Sequence, residues 1–351
     1  MSIRVGIIGA NGYGGAGLVS RLRAHPEVEL VALASRQYLG QRIESAWPQF
    51  AGVVDGTFVD ADEAVAQSDV VFTATPHGAT APMVKAARDA GKRVIDLSAD
   101  FRLDAATYET WYGPHPHPEL IADAVYGLPE FHRDELGGAA IVASPGCNAT
   151  AVILALAPLA AAGGLDEASA SVVAGASGAG RGLDLGLHYT ELDENARPYK
   201  VAGTHRHTGE IEAALGRTAR QGKTVASHGE RAAFRLAFNP VLVPMARGVL
   251  ATALARAPRE LDEAALQEHY RDFYRDDPLV HVQHDLPQTK AVAGSDRALL
   301  SVRLDARTGT VVAMCALDNL GKGASGQAVQ GFNLAFGLSE TLGLRLEGQW
   351  P

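Results

Sequence analysis

The stretch VGIIGANGYGGAGL, residues 5–18, decides the fold of the first part of the chain. An apolar, strand-like run leads into a loop in which Gly9, Gly12 and Gly15 are spaced as GxxGxxG, and a helical pattern follows. Glycines allow a tight turn and a close approach of backbone amides to a pyrophosphate, and the helix N-terminus adds partial positive charge. This context predicts a dinucleotide-binding loop, although any tight strand-to-helix turn favours glycine.

The first 150 residues continue this alternation of short apolar runs and helical patterns. The runs are RVGIIGA, ELVALAS, VVFTATP, RVIDLSAD and AIVAS, with crossover helices predicted at 14–24 and in TAPMVKAARDAGK. Such alternation is typical of a doubly wound parallel sheet. The fold class predicted for this part is therefore α/β and Rossmann-like.

From about residue 165 to 320 the pattern changes. SASVVAGAS, RLAFNPVLVP, GVLATALARA and RALLSVRLDARTGTVVAMCALDN indicate strands of a largely antiparallel sheet with inserted helices, and DARTG is a hairpin turn. We expect a nucleotide-binding domain over residues 1–146 and an α+β catalytic and oligomerisation domain over 147–321. A C-terminal helical segment, 322–351, is expected to pack back on the first domain.

Composition limits the functional classes. The chain has 351 residues, 47% of them hydrophobic and 20% charged, and no apolar stretch reaches the ~20 residues that cross a bilayer. The formal charge is -9 and no Lys/Arg run occurs, so we expect neither a nucleic-acid nor a membrane partner. The N-terminus lacks a signal-peptide pattern, and Cys147 and Cys315 are the only cysteines. A cytoplasmic location is expected.

The second strand-like run bears on the nucleotide. NAD sites commonly place a carboxylate at its end to hold the ribose 2′-hydroxyl, whereas NADP sites need a cation for the 2′-phosphate. Here ELVALASRQ ends in Ser35 and Arg36. The sequence favours NADP, and the alternative is that Arg36 is a solvated loop cation.

Cys147 lies in ASPGCNATAVILALAPLAAAG, after a Pro-Gly turn and at the start of a long apolar helix. The helix dipole and the free amides of the first turn stabilise a thiolate, and the same amides can hold an oxyanion. A free cysteine is otherwise a small core residue, as we expect for Cys315 in TVVAMCALDN. The Pro-Gly turn and the polar Asn148 favour a nucleophile.

A cysteine nucleophile needs an acid or base nearby, and GTHRHTGEIE offers His205, Arg206, His207 and Glu210 in a short turn before an amphipathic helix. If His205–His207 is extended, both imidazoles face one side. Two histidines without a cysteine fall short of a zinc site, so no metal is predicted. For anion binding the candidates are Arg102 in DLSADFRL, Arg181 in GASGAGRG and Arg247 in PMARGVLAT.

These motifs together resemble the N-acetyl-γ-glutamyl-phosphate reductases, relatives of aspartate-semialdehyde dehydrogenase. The resemblance covers nearly the whole chain and includes GANGYGG, DLSADFRL, YGLPE, SPGCNAT, SGAGRG, THRHTGEI, ARGVLAT and DNLGKGASGQAVQGFN. It implies that Cys147 is the nucleophile, His205 the acid or base, and NADPH the hydride donor. The thiolate would displace phosphate from an acyl phosphate to give a thioester, whose reduction and collapse release an aldehyde.

The remaining site residues follow from this resemblance and the glycine loop. The substrate-binding residues are predicted to be Arg102, Asn148, Arg181, His207 and Glu210. The cofactor-binding residues are predicted to be Gly9, Asn11, Gly12, Tyr13, Gly14, Gly15, Ser35, Arg36, Pro76, Ser98, Gly178 and Asn319. Which of the two histidines is the acid or base, and which arginine binds phosphate, is left open, and a homo-oligomer, dimer or tetramer, is expected.

Two departures from the family pattern concern the substrate. Asn148 and Ala149 follow the cysteine where the family commonly has tyrosine and proline, and Gly209 replaces a proline in the histidine motif. CNAT resembles the branch that reduces aminoadipyl phosphate on a small acidic carrier protein in lysine synthesis, whereas SGAGRG and HYTELDENARPYKVAGTHRH resemble the arginine enzymes. The acetylglutamyl substrate is placed first, and the carrier-linked substrate is the alternative.

Two further hypotheses keep the nucleotide-binding fold and change the function. One is an aspartate-semialdehyde dehydrogenase, which performs the same chemistry on a shorter substrate. The second is a non-catalytic NADP-sensing protein in which Cys147 is inert. Reactivity of the Cys147 thiol separates this sensing protein from the enzymes.

Overall fold

The computed structural model describes residues 2–163, 165–221, 234–257 and 262–350. The chain forms two compact units, Met1–Pro145 with Ala324–Leu344, and Gly146–Gly323 with Arg345–Pro351. The predicted division placed all of 322–351 with the first domain. The last residues belong to the second unit instead, where the N–H of Arg345 donates to Oδ2 of Asp296 at 2.8 Å. No described helix has the length and apolar character needed to span a membrane.

The elements are numbered along the chain. The strands are β1 (Ile3–Ile8), β2 (Val28–Ala34), β3 (Val70–Thr73), β4 (Arg93–Asp96), β5 (Ala124–Tyr126), β6 (Ile141–Ala143), β7 (Glu167–Gly175), β8 (Arg197–Pro198), β9 (Arg235–Val243), β10 (Val249–Arg256), β11 (Val280–Val282), β12 (Ala298–Asp305) and β13 (Thr310–Leu317). The α-helices are α1 (Tyr13–Leu22), α2 (Ile43–Ala46), α3 (Ala61–Gln67), α4 (Ala81–Asp89), α5 (Ala105–Tyr112), α6 (Pro129–Leu136), α7 (Cys147–Ala161), α8 (Tyr189–Leu192), α9 (His207–Gln221), α10 (Glu263–Phe273), α11 (Thr289–Val292) and α12 (Gly326–Ala335).

The first unit is built on a parallel sheet in the order β2-β1-β3-β4-β6-β5. The predicted Rossmann-like sheet is confirmed, and every residue of β3 is buried, as expected for a parallel strand covered on both faces. The chain changes direction across the sheet at β1, which lies between β2 and β3. Nucleotides bind at such a switch point, beyond the carboxyl ends of the strands. Strand β5 was not predicted from the sequence, because its three residues are too few to show a pattern.

Helix α12 returns the end of the chain to the first unit. Its Phe332 is fully buried and contacts Phe72 of β3, with ring centroids 5.6 Å apart. The hydroxyl of Ser325, just before the helix, donates to the carbonyl of Gly14 in α1 at 2.8 Å. The first unit is therefore assembled from both ends of the sequence.

The second unit is built on a seven-stranded sheet in the order β11-β12-β13-β10-β7-β9-β8. The β11–β12 and β7–β9 pairs are parallel and the other four are antiparallel, which confirms the largely antiparallel prediction. The predicted DARTG turn joins β12 to β13, and Gly309 in it has a φ of 65°.

Helix α7 packs on β10 and β13, and all of its residues except Cys147 are buried. A helix that is apolar all round is expected to lie in a core. Pro158 within it cannot donate to the carbonyl of Leu154, four residues earlier. The hydroxyl of Tyr274 donates to that carbonyl at 2.6 Å, so the bond lost to proline is replaced from outside the helix.

The other face of this sheet, called the open face below, is not fully covered by the residues that the structure describes. Every second residue of β10 is buried, namely Val249, Ala251, Ala253 and Ala255. The residues between and after them are partly or largely exposed, and Leu254 is 41% exposed. Alternation assigns the two sets to opposite faces. The registers place Val173 beside Leu250 and Met314 beside Thr252 on the open face, which is therefore apolar at the centre of the sheet.

Candidate active site

The glycine loop of the first unit joins β1 to α1. Gly9 has a φ of 85°, and a Cβ atom there would lie 2.5 Å from the carbonyl oxygen of Ala74. A Cβ at Gly15 would collide with the carbonyl oxygen of Gly9. Gly12 caps α1 and its Cβ would meet only an ordinary contact at 3.5 Å, so the fold itself does not require glycine there. The bare helix N-terminus fits the pyrophosphate of a dinucleotide.

The other predicted cofactor residues of the first unit surround this loop or follow the next strands. Tyr13 packs on Trp47, and Asn11 donates to Oε1 of Gln37 at 3.4 Å. Ser35 is buried and its Oγ accepts the N–H of Tyr38. Gly14, Arg36 and Pro76 lie at the surface or partly exposed, in α1 and after β2 and β3 respectively.

Ser98 is buried and engaged with Asp96 at the end of β4. Its hydroxyl donates to Oδ2 of Asp96 at 2.7 Å and its N–H donates to Oδ1 at 2.9 Å. Burial raises the pKa of Asp96 to about 6, although these hydrogen bonds lower it. Ser98 therefore shapes the strand end, and its hydroxyl is occupied within the protein.

Arg102, a predicted substrate ligand, also lies in the first unit. It is 8% exposed, and its guanidinium donates to the carbonyl of Ser144 at 2.7 Å and to the carbonyl of Leu97 at 2.8 Å. These bonds hold the segments that follow β4 and β6. The structure thus gives Arg102 a bracing role between these two segments.

Cys147 is the first residue of α7 and the one partly exposed residue of that helix. Its thiol lies 3.7 Å from Oδ1 of Asn148. A Cβ atom at Gly178 would lie 4.0 Å from the sulfur, and one at Gly323 would lie 2.7 Å from Cβ of Cys147. Two glycines therefore leave the space around the thiol open. Cys315 is fully buried in β13, as expected.

Glu210 supports the turn that carries the cysteine. It lies in the first turn of α9, is buried, and its Oε1 accepts the N–H of Gly146 at 2.9 Å. Gly146 is the N-cap residue of α7. The predicted substrate ligand thus binds the backbone that positions Cys147.

The two histidines meet in a turn, not in an extended segment. Their ring centroids are 4.7 Å apart, and Nδ1 of His205 accepts the N–H of His207 at 3.1 Å. Burial and the positive neighbours His207 and Lys200 lower the pKa of His205 to about 3. His205 is therefore neutral at physiological pH.

Tyr199 contacts both Asn148, which follows the cysteine, and His205. It was not predicted from the sequence as a site residue. Its hydroxyl oxygen accepts a hydrogen bond from Nδ2 of Asn148 at 3.3 Å, and its ring packs on His205 with ring centroids 5.6 Å apart. Burial raises the pKa of Tyr199. Its position six residues before His205 carries no local signal, because the contact depends on the turn between them.

Asn319 and Arg181, the other predicted ligands of the second unit, differ in setting. Asn319 is buried, donates to Oγ of Ser177 at 2.9 Å and accepts the N–H of Gly248 at 2.8 Å. A Cβ at Gly178 would lie 3.8 Å from its Nδ2, so Asn319 is near the thiol. Arg181 is exposed in the glycine-rich turn after β7. Among the described residues, no three His, Cys, Asp or Glu side chains form a metal-binding group.

Comparisons with known proteins identify the family of the chain. Residues 4–139 match the model of the semialdehyde dehydrogenase NAD binding domain, and residues 147–319 match the semialdehyde dehydrogenase dimerisation domain. The chain is 51% identical over 349 residues to the N-acetyl-gamma-glutamyl-phosphate reductase of Thermus thermophilus, covering 99% of this chain and 100% of that one. It is 48% identical to the enzyme of that name from Desulforudis audaxviator, with 99% and 100% covered.

Solved structures show the same fold at lower identity. Aspartate semialdehyde dehydrogenase II of Vibrio cholerae, complexed with ASA, matches with a TM-score of 0.72 at 18% identity, over 95% of this chain and 98% of that one. The enzyme from Candida albicans with NADP matches with a TM-score of 0.71 at 18% identity, over 95% and 98%. The chain belongs to the N-acetyl-γ-glutamyl-phosphate reductase family of the semialdehyde dehydrogenases.

Proposed function

We propose that the chain catalyses the NADPH-dependent reduction of N-acetyl-L-glutamyl 5-phosphate to N-acetyl-L-glutamate 5-semialdehyde and phosphate, in arginine biosynthesis. The relatives described above are named for this phosphate. The observation that carries the chemistry is the partly exposed Cys147 thiol at the first residue of the otherwise buried α7. A thiol at this place has both a stabilised thiolate and amide donors for an oxyanion.

The residues divide the chemical work as follows. The Cys147 thiolate attacks the acyl carbon and displaces phosphate, which leaves a thioester. The first-turn amides of α7 hold the oxyanion, and His205 has the acid–base role. When bound, the nicotinamide supplies the hydride that reduces the thioester carbon. Glu210 fixes the Gly146 amide, so that the turn does not shift as charge develops.

The site concentrates positive charge in a chain whose formal charge is -9. His207, Lys200 and Arg206 each act on His205 as positive neighbours, and the carboxylate of Glu210 is engaged with a backbone amide. Such a setting suits a substrate with both a carboxylate and a phosphate. We assign substrate binding to Asn148, whose Oδ1 lies 3.7 Å from the thiol, and to His207. Arg102 and Arg181 are proposed as the residues for the phosphate or carboxylate.

NADP is the nicotinamide nucleotide of this proposal. The family model establishes a nicotinamide-nucleotide domain over residues 4–139. Arg36 follows β2 directly and is exposed, and no carboxylate stands at the end of that strand, where an NAD site would hold the ribose. The ten predicted cofactor ligands of the first unit are kept as cofactor-binding residues in this proposal, and Gly178 and Asn319 of the second unit are proposed as cofactor-binding residues as well.

The substrate assay tests the proposal. We expect kcat/KM for N-acetylglutamate semialdehyde oxidation, with phosphate and NADP, to exceed that with NAD by at least about tenfold. A carrier-linked aminoadipyl substrate should react at least about 100-fold less well. A preference for the carrier-linked substrate would instead support the lysine-branch alternative, which none of the relatives described above is named for. Absence of turnover with both, with NADP still bound, would support the sensing protein.

We also propose that a second copy of the chain covers the open face of the second unit's sheet. The model matched by residues 147–319 is described as a dimerisation domain, and the open face is apolar along β10.

We place the enzyme in the cytoplasm. Neither of its two cysteines is in a disulfide, and a reactive Cys147 thiol suits that reducing compartment.

Replacing Leu254 with aspartate should weaken that association. A carboxylate at the centre of a buried apolar interface is desolvated without a partner, so we expect the dissociation constant to rise by at least about 100-fold. Sedimentation velocity over a range of concentrations measures it. Val53→Asp, at an exposed site of the first unit, is the matched control and should leave the oligomer intact. Unchanged association of Leu254→Asp would place the interface elsewhere.

A further inference from the structure

Asp318 places a buried carboxylate at the end of β13. It follows Leu317, the last residue of the strand, and its side chain is fully buried. Oδ1 accepts the N–H of Leu320 at 2.8 Å, and Oδ2 accepts the N–H of Gly294 at 2.5 Å. A buried charge is stable only when hydrogen bonds and an opposite charge replace the water that it has lost. The backbone supplies the hydrogen bonds, so an opposite charge is expected beside Asp318.

Arg247 supplies that charge. Its Nε donates to Oδ1 of Asp318 at 3.2 Å, and its Nη2 lies 3.0 Å from Oδ2. Two parallel contacts of this kind fix a guanidinium relative to a carboxylate. The Arg247 side chain is 36% exposed, so the pair reaches from the interior towards the surface. Arg247 was a candidate for anion binding in the sequence, and the anion that it binds within the chain is Asp318.

Arg247 lies in the loop 245–248, which is bonded to the segment 175–178 at the end of β7. Three backbone N–H groups of the segment donate to carbonyl groups of the loop, at 2.8, 2.9 and 3.1 Å. Gly178 is the last residue of that segment, and a Cβ atom there would lie 4.0 Å from the sulfur of Cys147. The buried carboxylate therefore holds, through Arg247 and the loop, a segment that faces the thiol.

The turn 318–323, which begins at Asp318, meets the same cysteine. The backbone carbonyl of Asp318 accepts the N–H groups of Gly321 and Gly323 at 3.0 and 2.9 Å. A Cβ atom at Gly323 would lie 3.1 Å from that carbonyl oxygen and 2.7 Å from Cβ of Cys147. Asp318 thus fixes this turn with both its backbone and its side chain, and the turn ends against the cysteine.

Resting on the proposed function, we propose that Asp318 is a positioning residue for Cys147. Its carboxylate joins the loop 245–248 to the turn 318–323, and each of the two leads to a glycine that lies against the cysteine. Asp318 acts through these segments and does not touch the substrate. A misplacement of about 1 Å at the reacting atom costs about 100-fold in rate, so a clamp that fixes the thiol from two segments matters for turnover.

The charge balance of this clamp suits a thiolate. An unpaired carboxylate near the sulfur would disfavour the thiolate, because like charges repel. Here the negative charge of Asp318 is matched by the positive charge of Arg247, so the pair adds no net charge near the thiol. The pair can therefore fix the position of the thiol without opposing its ionisation.

Asp318→Asn tests the clamp. The amide keeps the size of the carboxylate, removes its charge and turns an N–H towards one of the donors. We expect kcat and the rate of Cys147 alkylation by iodoacetamide to fall together by at least about tenfold. KM for the semialdehyde and for phosphate should stay within about threefold, because Asp318 binds neither. A residue needed only for folding would lower the melting temperature and leave both rates per folded molecule unchanged, and that result would overturn the proposal.

Arg247→Met tests the same clamp from its exposed end, so a misfolded Asp318→Asn protein leaves the test intact. Alkylation should slow by at least about fivefold in this variant. The double variant should be no more than about threefold slower than the slower single one, because both changes open one clamp. The bonds of Asn319 to Ser177 and Gly248 remain in each variant and support the fold. Losses that multiply in the double variant, or an unchanged rate in Arg247→Met, would overturn the proposal.

Asp305→Asn is the matched control. Asp305 also pairs with an arginine, since Nη2 of Arg307 lies 3.0 Å from its Oδ2. The register places Asp305 beside Thr310, the first residue of β13, at the opposite end of that strand from Asp318. Both rates should stay within about twofold of the wild-type values. An equal loss of rate in this variant would contradict the assignment of Asp318.

Alkylation also separates this proposal from the proposed function, because the reagent needs neither substrate nor cofactor. The expected alkylation pattern in a protein that does not turn over the acetylglutamyl substrate would count against the proposed function alone. Normal turnover with unchanged alkylation in Asp318→Asn would count against the positioning role alone.

Discussion

Cys147→Ala should lower kcat for semialdehyde oxidation by at least about 10⁴-fold, as loss of a covalent nucleophile does in other enzymes. No other group in the second unit offers a thiolate at a helix N-terminus, among the residues described, since Cys315 is fully buried in β13. The measurement is steady-state turnover with saturating NADP and phosphate. Binding of NADP should stay within about twofold, because the glycine loop belongs to the first unit.

The matched control for this variant is Cys315→Ala. It removes the other sulfur from a packed strand, so it should cost about 1 kcal/mol of unfolding free energy and leave kcat within about threefold. Together the two variants separate loss of the nucleophile from loss of a buried sulfur. Substantial turnover in Cys147→Ala, or equal losses in both variants, would contradict the assignment of Cys147.

Gly323→Ala should have the second largest effect, because it acts on the nucleophile through packing. The added Cβ atom would lie 2.7 Å from Cβ of Cys147 and 3.1 Å from the carbonyl oxygen of Asp318. Because the backbone at Asp318 moves less easily than a side chain, Cys147 must shift. A displacement near 1 Å costs about 100-fold in rate, and we expect kcat and the alkylation rate of Cys147 to fall together by about that factor.

Gly182→Ala provides the control for that experiment. A Cβ atom at Gly182 meets nothing within 4 Å. Its kcat should stay within about twofold of the wild-type value. Near-normal turnover in Gly323→Ala would show that the thiol tolerates displacement, and the packing argument would then be wrong.

Much of the fold could be predicted from local pattern. The loop at 9–15 follows one strand and precedes one helix, and each of these is visible in a window of a few residues. The strands around SASVVAGAS and DARTG were found for the same reason. The exceptions are β5, β8 and β11, which are three residues long or shorter and form by pairing with neighbouring strands, which no local window shows.

Candidate site residues could be proposed from the sequence where a residue type and its neighbours suggest the chemistry, as for Cys147 and His205. It was not predictable where a contact joins distant segments. Glu210 was expected to hold substrate, and the structure shows it bound to the amide of Gly146. Gly323 looked like one more glycine in DNLGKGASG, and its importance lies in its closeness to a cysteine far back in the chain.

The sequence by itself determined the glycine loop, most of the strands, and the helix start at which Cys147 lies, because each depends on backbone geometry within one or two turns. Only the tertiary structure decided that the Glu210 carboxylate binds the Gly146 amide, which side chains surround the thiol, and which face of the second sheet is the less covered one. These depend on hydrogen bonds and packing between segments that approach one another only after the chain has folded.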